Sequence, residues 1–313
     1  MNQFACEVRS GLAKPQKELP SKYLYDELGS ALFDAITALP EYGLTRADRR
    51  LLNRHAVDLP NDFACVAEFG SGSGSKTRAI LEAMAPKTYF PIDVSRAALD
   101  RCTRELCGLS RIQPIEDSFL EGLDRVNDRA LVEDRVNRGP RDSGALLLLF
   151  LGSTIGNFDS RCRNDFLRQV RSRMQPGDAM LIGMDLVKPI ETMLDAYDDP
   201  TGVTTAFNLN LLGRINRELG GSFDIRAFAH HALYNQTERR IEMHLRSRIH
   251  QTVAIAEADF HCRFRADETI WTESSHKFYA DEIPDIARAT GFASEAVWID
   301  EEWPFAESLW RAA

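Results

Sequence analysis

Residues 63–77, FACVAEFGSGSGSKT, constrain the fold of this 313-residue chain more than any other stretch. An apolar strand ends in Glu68, a turn follows with glycine at 70, 72 and 74, and Lys76–Thr77 opens a helix. Lacking a Cβ, glycine lets the chain turn that tightly and brings bare backbone against a bound group. The next strand, YFPIDVS, supplies an acid, Asp93, 25 residues after Glu68. That is close to the spacing at which a carboxylate grips the hydroxyls of a ribose.

Glu-x-Gly-x-Gly-x-Gly followed by such an acid resembles the S-adenosylmethionine (SAM) site of class I methyltransferases. Two rival glycine motifs fail on the same residues. A phosphate-binding P-loop needs glycine immediately before Lys76, and a Gly-x-Gly-x-x-Gly dinucleotide fingerprint begun at Gly70 needs it at the same place, where the chain has Ser75. No Asp-capped apolar strand stands out as a magnesium partner. Nucleotide binding by another mode, or a turn that binds nothing, stays open on these residues alone.

The formal net charge of −9 argues against nucleic acid or an anionic membrane as partner, because both are held by Lys and Arg. No basic stripe compensates; RADRR (46–50) mixes Arg with Asp, the pattern of a solvated helix face. The six cysteines (6, 65, 102, 107, 162, 262) show no Cys-x-x-Cys spacing, so reduced thiols are expected and no metal site. Met1 is followed by no signal-like segment, and the most apolar run, ALLLLFLG (145–152), is too short to span a bilayer. It reads as a central buried strand. A cytoplasmic monomer is expected.

Strand and helix patterns alternate from residue 64: strand 64–69, helix 75–84, strand 88–93, helix 95–107, strands 112–115 and 145–151, helix 159–174 and strand 178–185. Such alternation implies a parallel sheet with helices on both faces. The charged segment 118–143 is expected to hold one more helix before a Gly139–Pro140 turn. A helix-like segment, 25–39, precedes the alternation and stops at Pro40. From Lys188 to about Lys277 the rhythm breaks into two helices (189–197, 203–218) and strand-like runs at 228–235, 239–248, 251–256 and 260–265. Helix 280–290 and strands at 294–299 and 304–310 then resume it. The reading is an α/β, Rossmann-like, mostly parallel sheet plus a smaller α+β lobe, and the resemblance to class I methyltransferases implies that the sheet ends in an antiparallel C-terminal hairpin. Residues 46–187 and 278–313 are assigned to a SAM-binding domain, and 1–45 with 188–277 to a substrate-binding lobe over the cofactor.

Several longer motifs are more specific. YDELGSALFDAITALPEY (25–42), FLGSTIGN (150–157), DLVK (185–188), AYDDPTGVTTAFNLNLL (196–212), INREL (215–219), ERRIEMHLRS (238–247) and TESSHKF (272–278) occur in this order. With them the chain closely resembles the histidine-specific Nα-methyltransferases of ergothioneine biosynthesis, from about Tyr25 to the C-terminus. The resemblance implies transfer of three methyl groups from SAM to the α-amine of L-histidine, giving hercynine, with SAM as cosubstrate and no metal.

Carried over residue by residue, it implies a cofactor side of Gly70, Gly72, Lys76, Asp93, Asp117 and Phe119, the last two from EDSF. Asp93 would accept from the ribose hydroxyls, Asp117 from the adenine amino group, and Lys76 would contact the methionine carboxylate. The implied substrate side is Tyr42, Gly152, Asn157, Tyr197, Met243, Glu273 and Ser275, with Tyr25 and Asn157 in catalytic roles. Most have an ordinary structural reading as well: lobe packing for Tyr25 and Tyr42, a turn or helix cap for Asn157, a surface-helix cap for Tyr197, core filling for Met243, a solvated strand face for Glu273 and Ser275. The chain departs from the family's usual pattern at Gly43 and Leu44 (EYGLTR), at Leu209 (FNLN) and at Ser75. Another aromatic acceptor, tryptophan or tyrosine, is the alternative; an indole or phenol has no need of the Glu273 carboxylate. A non-catalytic SAM- or nucleotide-binding protein is the remaining one.

Overall fold

The computed structural model describes residues 2–61, 63–133 and 144–312. It forms two compact units, each assembled from separate stretches of chain: Leu44–Val187 with Lys277–Ala313, and Met1–Gly43 with Lys188–His276.

The larger unit is built on an eight-stranded sheet. Its central strand Phe63–Phe69 lies parallel to Thr88–Asp93 on one side and to Ala145–Phe150 on the other, and Ala179–Asp185 continues the parallel run. Phe305–Ala312 pairs antiparallel with Ala179–Asp185, and Phe292–Asp300 pairs antiparallel with it at the edge. This is the mostly parallel sheet that the alternation implied, closed by the antiparallel hairpin that the resemblance to class I methyltransferases implied. Every residue of Ala145–Phe150 is buried. The reason is that both faces are covered: Leu146, Leu148 and Phe150 join one apolar cluster, while Leu147, Leu149 and Leu151 join the other.

Three details of this unit differ from expectation. The strand at 112–115 is two short pieces, Arg111–Ile112 and Ile115–Glu116, since Pro114 between them has no N–H for the ladder. The helix after the glycine turn begins at Arg78, because residues 75–77 are taken up in the turn. RADRR is not wholly solvated either: helix Leu44–His55 turns Leu44, Ala47, Leu51 and Leu52 inward, and Asp48 lies fully buried among them. The helix expected in 118–143 is Phe119–Glu133, while the Gly139–Pro140 turn falls outside the described residues.

The smaller unit is α+β. Its sheet runs Lys17–Glu18, Thr269–His276, Arg240–Ser247, Phe228–Asn235, parallel at the first pairing and antiparallel at the others. A separate hairpin joins Gln251–Ile255 to Phe260–Phe264. Helix Val203–Leu219 packs on the sheet through Phe207, Leu211 and Ile215. Helix Glu27–Ala38 packs in turn on Val203–Leu219 and is capped by Asp26, which accepts from the Gly29 N–H at 2.7 Å. Helix Gln3–Leu12, which the sequence reading did not foresee, adds buried Phe4, Val8 and Leu12. Among the described residues no helix is long and apolar enough to cross a membrane.

Candidate active site

In the larger unit, strand Phe63–Phe69 delivers the chain into the glycine turn at the carboxyl end of the sheet. Gly70, Gly72 and Gly74 all have positive φ (66°, 52° and 73°), the region glycine enters without strain. A Cβ at Gly74 would come within 2.7 Å of Cys102 Sγ and Leu106 Cδ1, so that residue also closes the turn onto helix Arg96–Glu105. A Cβ at Gly72 would meet nothing within 4 Å. The turn is thus anchored at Gly74 and open at Gly72, a bare cradle for a ligand.

Glu68 holds the turn from below. It is buried, and its Oε2 accepts from Thr77 Oγ1 at 2.6 Å and from the Tyr89 hydroxyl. Burial pushes its pKa up to about 7, against the lowering effect of those two hydroxyls. Asp93 ends its strand beside the cradle. Its Oδ1 accepts from the Ser95 N–H at 2.8 Å and its Oδ2 from the Gly72 N–H at 3.4 Å. Burial raises its pKa, with those N–H groups working the other way.

Phe119 stacks on Phe69, centroids 5.0 Å apart, and its ring lies 3.8 Å from where a Gly70 Cβ would be. Asp117 accepts from the Ser118 N–H (2.9 Å) and from Arg125 Nη1 (3.1 Å). The Lys76 ammonium donates to Asp48 Oδ2 at 2.7 Å. Burial disfavours that ammonium, but the charge and hydrogen bond of Asp48 more than offset it, and the Lys76 pKa is raised. Gly152 lies at the end of strand Ala145–Phe150 with φ +70°, and its N–H donates to the same Asp48 oxygen at 3.1 Å. A side chain at 152 would collide with Lys76 Nζ, 2.7 Å from a Cβ there. Asn157 closes the short turn Thr154–Asn157 that follows.

In the smaller unit, Tyr25, Tyr42, Tyr197, Met243, Glu273 and Ser275 form one connected group. Met243 stands directly opposite Glu273 in the ladder between Arg240–Ser247 and Thr269–His276, and a bulge between Trp271 and Glu273 sets that register. The Tyr197 hydroxyl donates to Ser275 Oγ at 2.7 Å, both residues being buried. The rings of Tyr42 and Tyr197 meet edge-on at 6.1 Å, and Tyr25 packs edge-on against Phe33 (5.4 Å) and Phe207 (5.5 Å). Burial and then the charge of Glu273, with which the Tyr25 hydroxyl is hydrogen-bonded, hold the Tyr25 phenol well above its usual range. Tyr25 therefore stays protonated at neutral pH. Behind Tyr197, His230 Nε2 donates to its backbone carbonyl (2.8 Å), and Asn208 Nδ2 donates to His230 Nδ1 (2.9 Å). That arrangement fixes a neutral His230, whose pKa burial lowers.

Sequence reasoning did not single out Asp48, Glu307 or His230. The signal for the first two was present: an acid on the apolar stripe of a helix, and an acid in the middle of the apolar strand FAESLW. Among the described residues no His, Cys, Asp and Glu side chains gather into a group that could hold a metal.

The family model described as histidine-specific, SAM-dependent methyltransferase matches residues 4–312. A histidine N-alpha-methyltransferase of Mycobacterium tuberculosis is 39% identical over 315 residues, covering 97% of this chain and 93% of that protein. Its counterpart in Mycolicibacterium smegmatis is 37% identical over 313 residues, with the same coverage of 97% and 93%. Ergothioneine biosynthesis protein 1 of Schizosaccharomyces pombe is 30% identical over 274 residues, covering 83% of this chain and 34% of that longer protein.

Proposed function

The chain belongs to the histidine-specific, SAM-dependent methyltransferases, and from that premise we propose that it trimethylates the α-amine of L-histidine to hercynine, the first step of ergothioneine biosynthesis. The observation that carries the acceptor is the pairing of Glu273 and Ser275 two residues apart on one strand face, with Met243 opposite and Tyr197 bonded to Ser275. A neutral imidazole offers one N–H donor and one bare nitrogen acceptor. Glu273 accepts from the first and the Ser275 hydroxyl donates to the second.

The larger unit is read as the SAM-binding domain and the smaller one as the substrate-binding lobe. The residues present fit SAM: the open cradle at Gly72, the Asp93 carboxylate beside it for the ribose, and the Lys76 ammonium for the methionine carboxylate. Asp117 and Phe119 are assigned to the adenine end, with Gly70 allowing close approach. When bound, SAM supplies a methyl group made electrophilic by the sulfonium. The nucleophile is the neutral α-amine, and its lone pair forms the C–N bond as the C–S bond breaks. Orientation at near-attack distance carries most of the rate. Asn157 and the Gly152 carbonyl are assigned to aim the amine and the Tyr42 hydroxyl to hold the carboxylate, while Tyr197, whose proton goes to Ser275, orients that serine toward the ring. Each transfer leaves a cationic amine, which must lose a proton before it attacks again. Tyr25 can take that proton while passing its own to Glu273, because the two are already hydrogen-bonded.

The net charge of −9 supports an enzyme that engages neither nucleic acid nor membrane, and a cytoplasmic monomer fits this reading. Incubation with SAM and L-histidine should yield products heavier by one, two and three methyl groups in mass spectra, all on the α-nitrogen. Methylation of a ring nitrogen would overturn the roles given to Asn157 and Gly152, and no turnover of histidine would overturn the acceptor.

A further inference from the structure

The larger unit buries two acids to which methyl transfer assigns no task. Asp48 is fully buried, and Glu307, in mid-strand, is 1% exposed. One Asp48 oxygen is used twice, by Lys76 Nζ and by the Gly152 N–H. The other, and both oxygens of Glu307, meet no donor among the described residues. Yet Glu307 lies within hydrogen-bonding range of Asp48. Two acceptors within reach of one another, with no protein donor between them among the described residues, cannot both be ionised in a buried site unless charge from elsewhere balances them. Among the described residues, the ionisable groups facing the pair are Lys76 from the glycine turn, Glu68 from strand Phe63–Phe69 and His55, which lines a small cavity together with Glu307. Lys76 offers one positive charge against two acids, and Glu68 adds a third acid.

We propose that Glu307 keeps its proton and donates it to the free oxygen of Asp48, and that Asp48, held in this way, positions both Lys76 and the Gly152 backbone. The inference rests on Lys76 as a ligand of the SAM carboxylate. A lysine ammonium has three donors; Asp48 occupies one and leaves the others for the cosubstrate. The same Asp48 oxygen ties that lysine to the start of the Gly152–Asn157 turn, so one buried acid sets the geometry of two groups the reaction needs. Two glycines make room for the arrangement. A Cβ at Gly183 would fall 2.8 Å from Glu307 Oε1 and 3.2 Å from the Gly152 nitrogen, and one at Gly152 would strike Lys76. Burial, and then the charge of Asp48, hold the Glu307 carboxyl well above the usual carboxylate range.

Difference infrared spectra of the SAM-free protein test the shared proton, and calorimetric titration with SAM tests its consequence. At about pH 8, where an ordinary carboxyl is fully ionised, wild type should retain the carbonyl band of a protonated acid, and Glu307→Gln should lose it. Asp48→Asn should weaken SAM binding on the order of tenfold or more, since Lys76 loses its charged partner. Glu307→Leu should weaken it similarly, while Glu307→Gln, whose amide can donate to Asp48 from the same place, should restore affinity to within about threefold of wild type. Absence of the band, or unaltered SAM affinity in Asp48→Asn, would overturn the proposal. A wild-type protein that shows the band but binds no SAM would refute the positioning role together with the methyltransferase reading, and leave the proton-sharing pair standing.

Discussion

On the proposed reading, the choice of substrate rests at Glu273 on a single carboxylate. It faces Met243 across the ladder and hydrogen-bonds with Tyr25. Removing one partner of a desolvated, charge-assisted hydrogen bond costs roughly 2–4 kcal/mol, on the order of 30- to 1000-fold in kcat/KM. Glu273→Ala should therefore lose histidine turnover by that factor, and steady-state kinetics with histidine matching wild type would remove the residue from the site. A second residue-scale prediction concerns Glu68. Its carboxyl is raised from 4.5 to about 7 by burial, so the folded state holds a proton that the unfolded state has released over that interval. Stability from this group is present below pH 4.5 and falls as pH rises to about 7, by up to about 3 kcal/mol. Asp93 and Glu307 are raised as well and add slopes of the same sign, so the comparison must be with Glu68→Gln. Denaturant titrations from pH 4.5 to 7 should show stability falling less, or rising more, with pH in that variant than in wild type; parallel profiles would mean that the Glu68 carboxyl titrates alike in the folded and unfolded states. The residues read from sequence were those that recur in motifs. Asp48 escaped because three arginines surround it in RADRR and their solvation masks an acid on the buried stripe.

Among the elements, the glycine turn was legible because its chemistry is local: three positive-φ positions demand glycine wherever the chain folds. Gly74 adds a long-range demand that spacing could not show, the contact with Cys102 and Leu106 at 2.7 Å from a Cβ. Gly74→Ala should destabilise the larger unit by about 1–3 kcal/mol through strain at φ +73° and overpacking against those side chains. A denaturation midpoint equal to wild type would show that Arg96–Glu105 can move aside. Other elements were illegible for the same reason turned round. Helix Gln3–Leu12 carries only a sparse apolar pattern, and ten residues alone would barely hold helix. It exists because Phe4, Val8 and Leu12 find apolar neighbours in the fold. The split strand around Pro114 shows a backbone rule overriding side-chain pattern, since the proline interrupts a run that otherwise reads as extended.

For the whole molecule, the strand and helix rhythm was readable because a parallel sheet covered on both faces needs continuous apolar strands, such as ALLLLF. The smaller unit gave a weaker signal: its strands Phe228–Asn235 and Arg240–Ser247 mix His, Glu and Arg with apolar residues, and its pairing with Lys17–Glu18 joins residues more than 250 apart. If the larger unit binds SAM and the smaller one binds histidine, ligand-linked stability separates the two assignments. A ligand at a hundred times its Kd stabilises the folded state by about 2.7 kcal/mol, worth roughly 5–10 °C in Tm for a unit of 150–250 residues. Asp93→Ala removes the carboxylate assigned to the ribose and should abolish most of the SAM-induced shift. Glu273→Ala lies in the other unit and should keep it, whatever either substitution does to Tm without ligand. Thermal scans with and without SAM in the three proteins decide the point. A full SAM shift in Asp93→Ala would place the cosubstrate elsewhere, and its loss in Glu273→Ala would mean that the acceptor lobe helps to bind it.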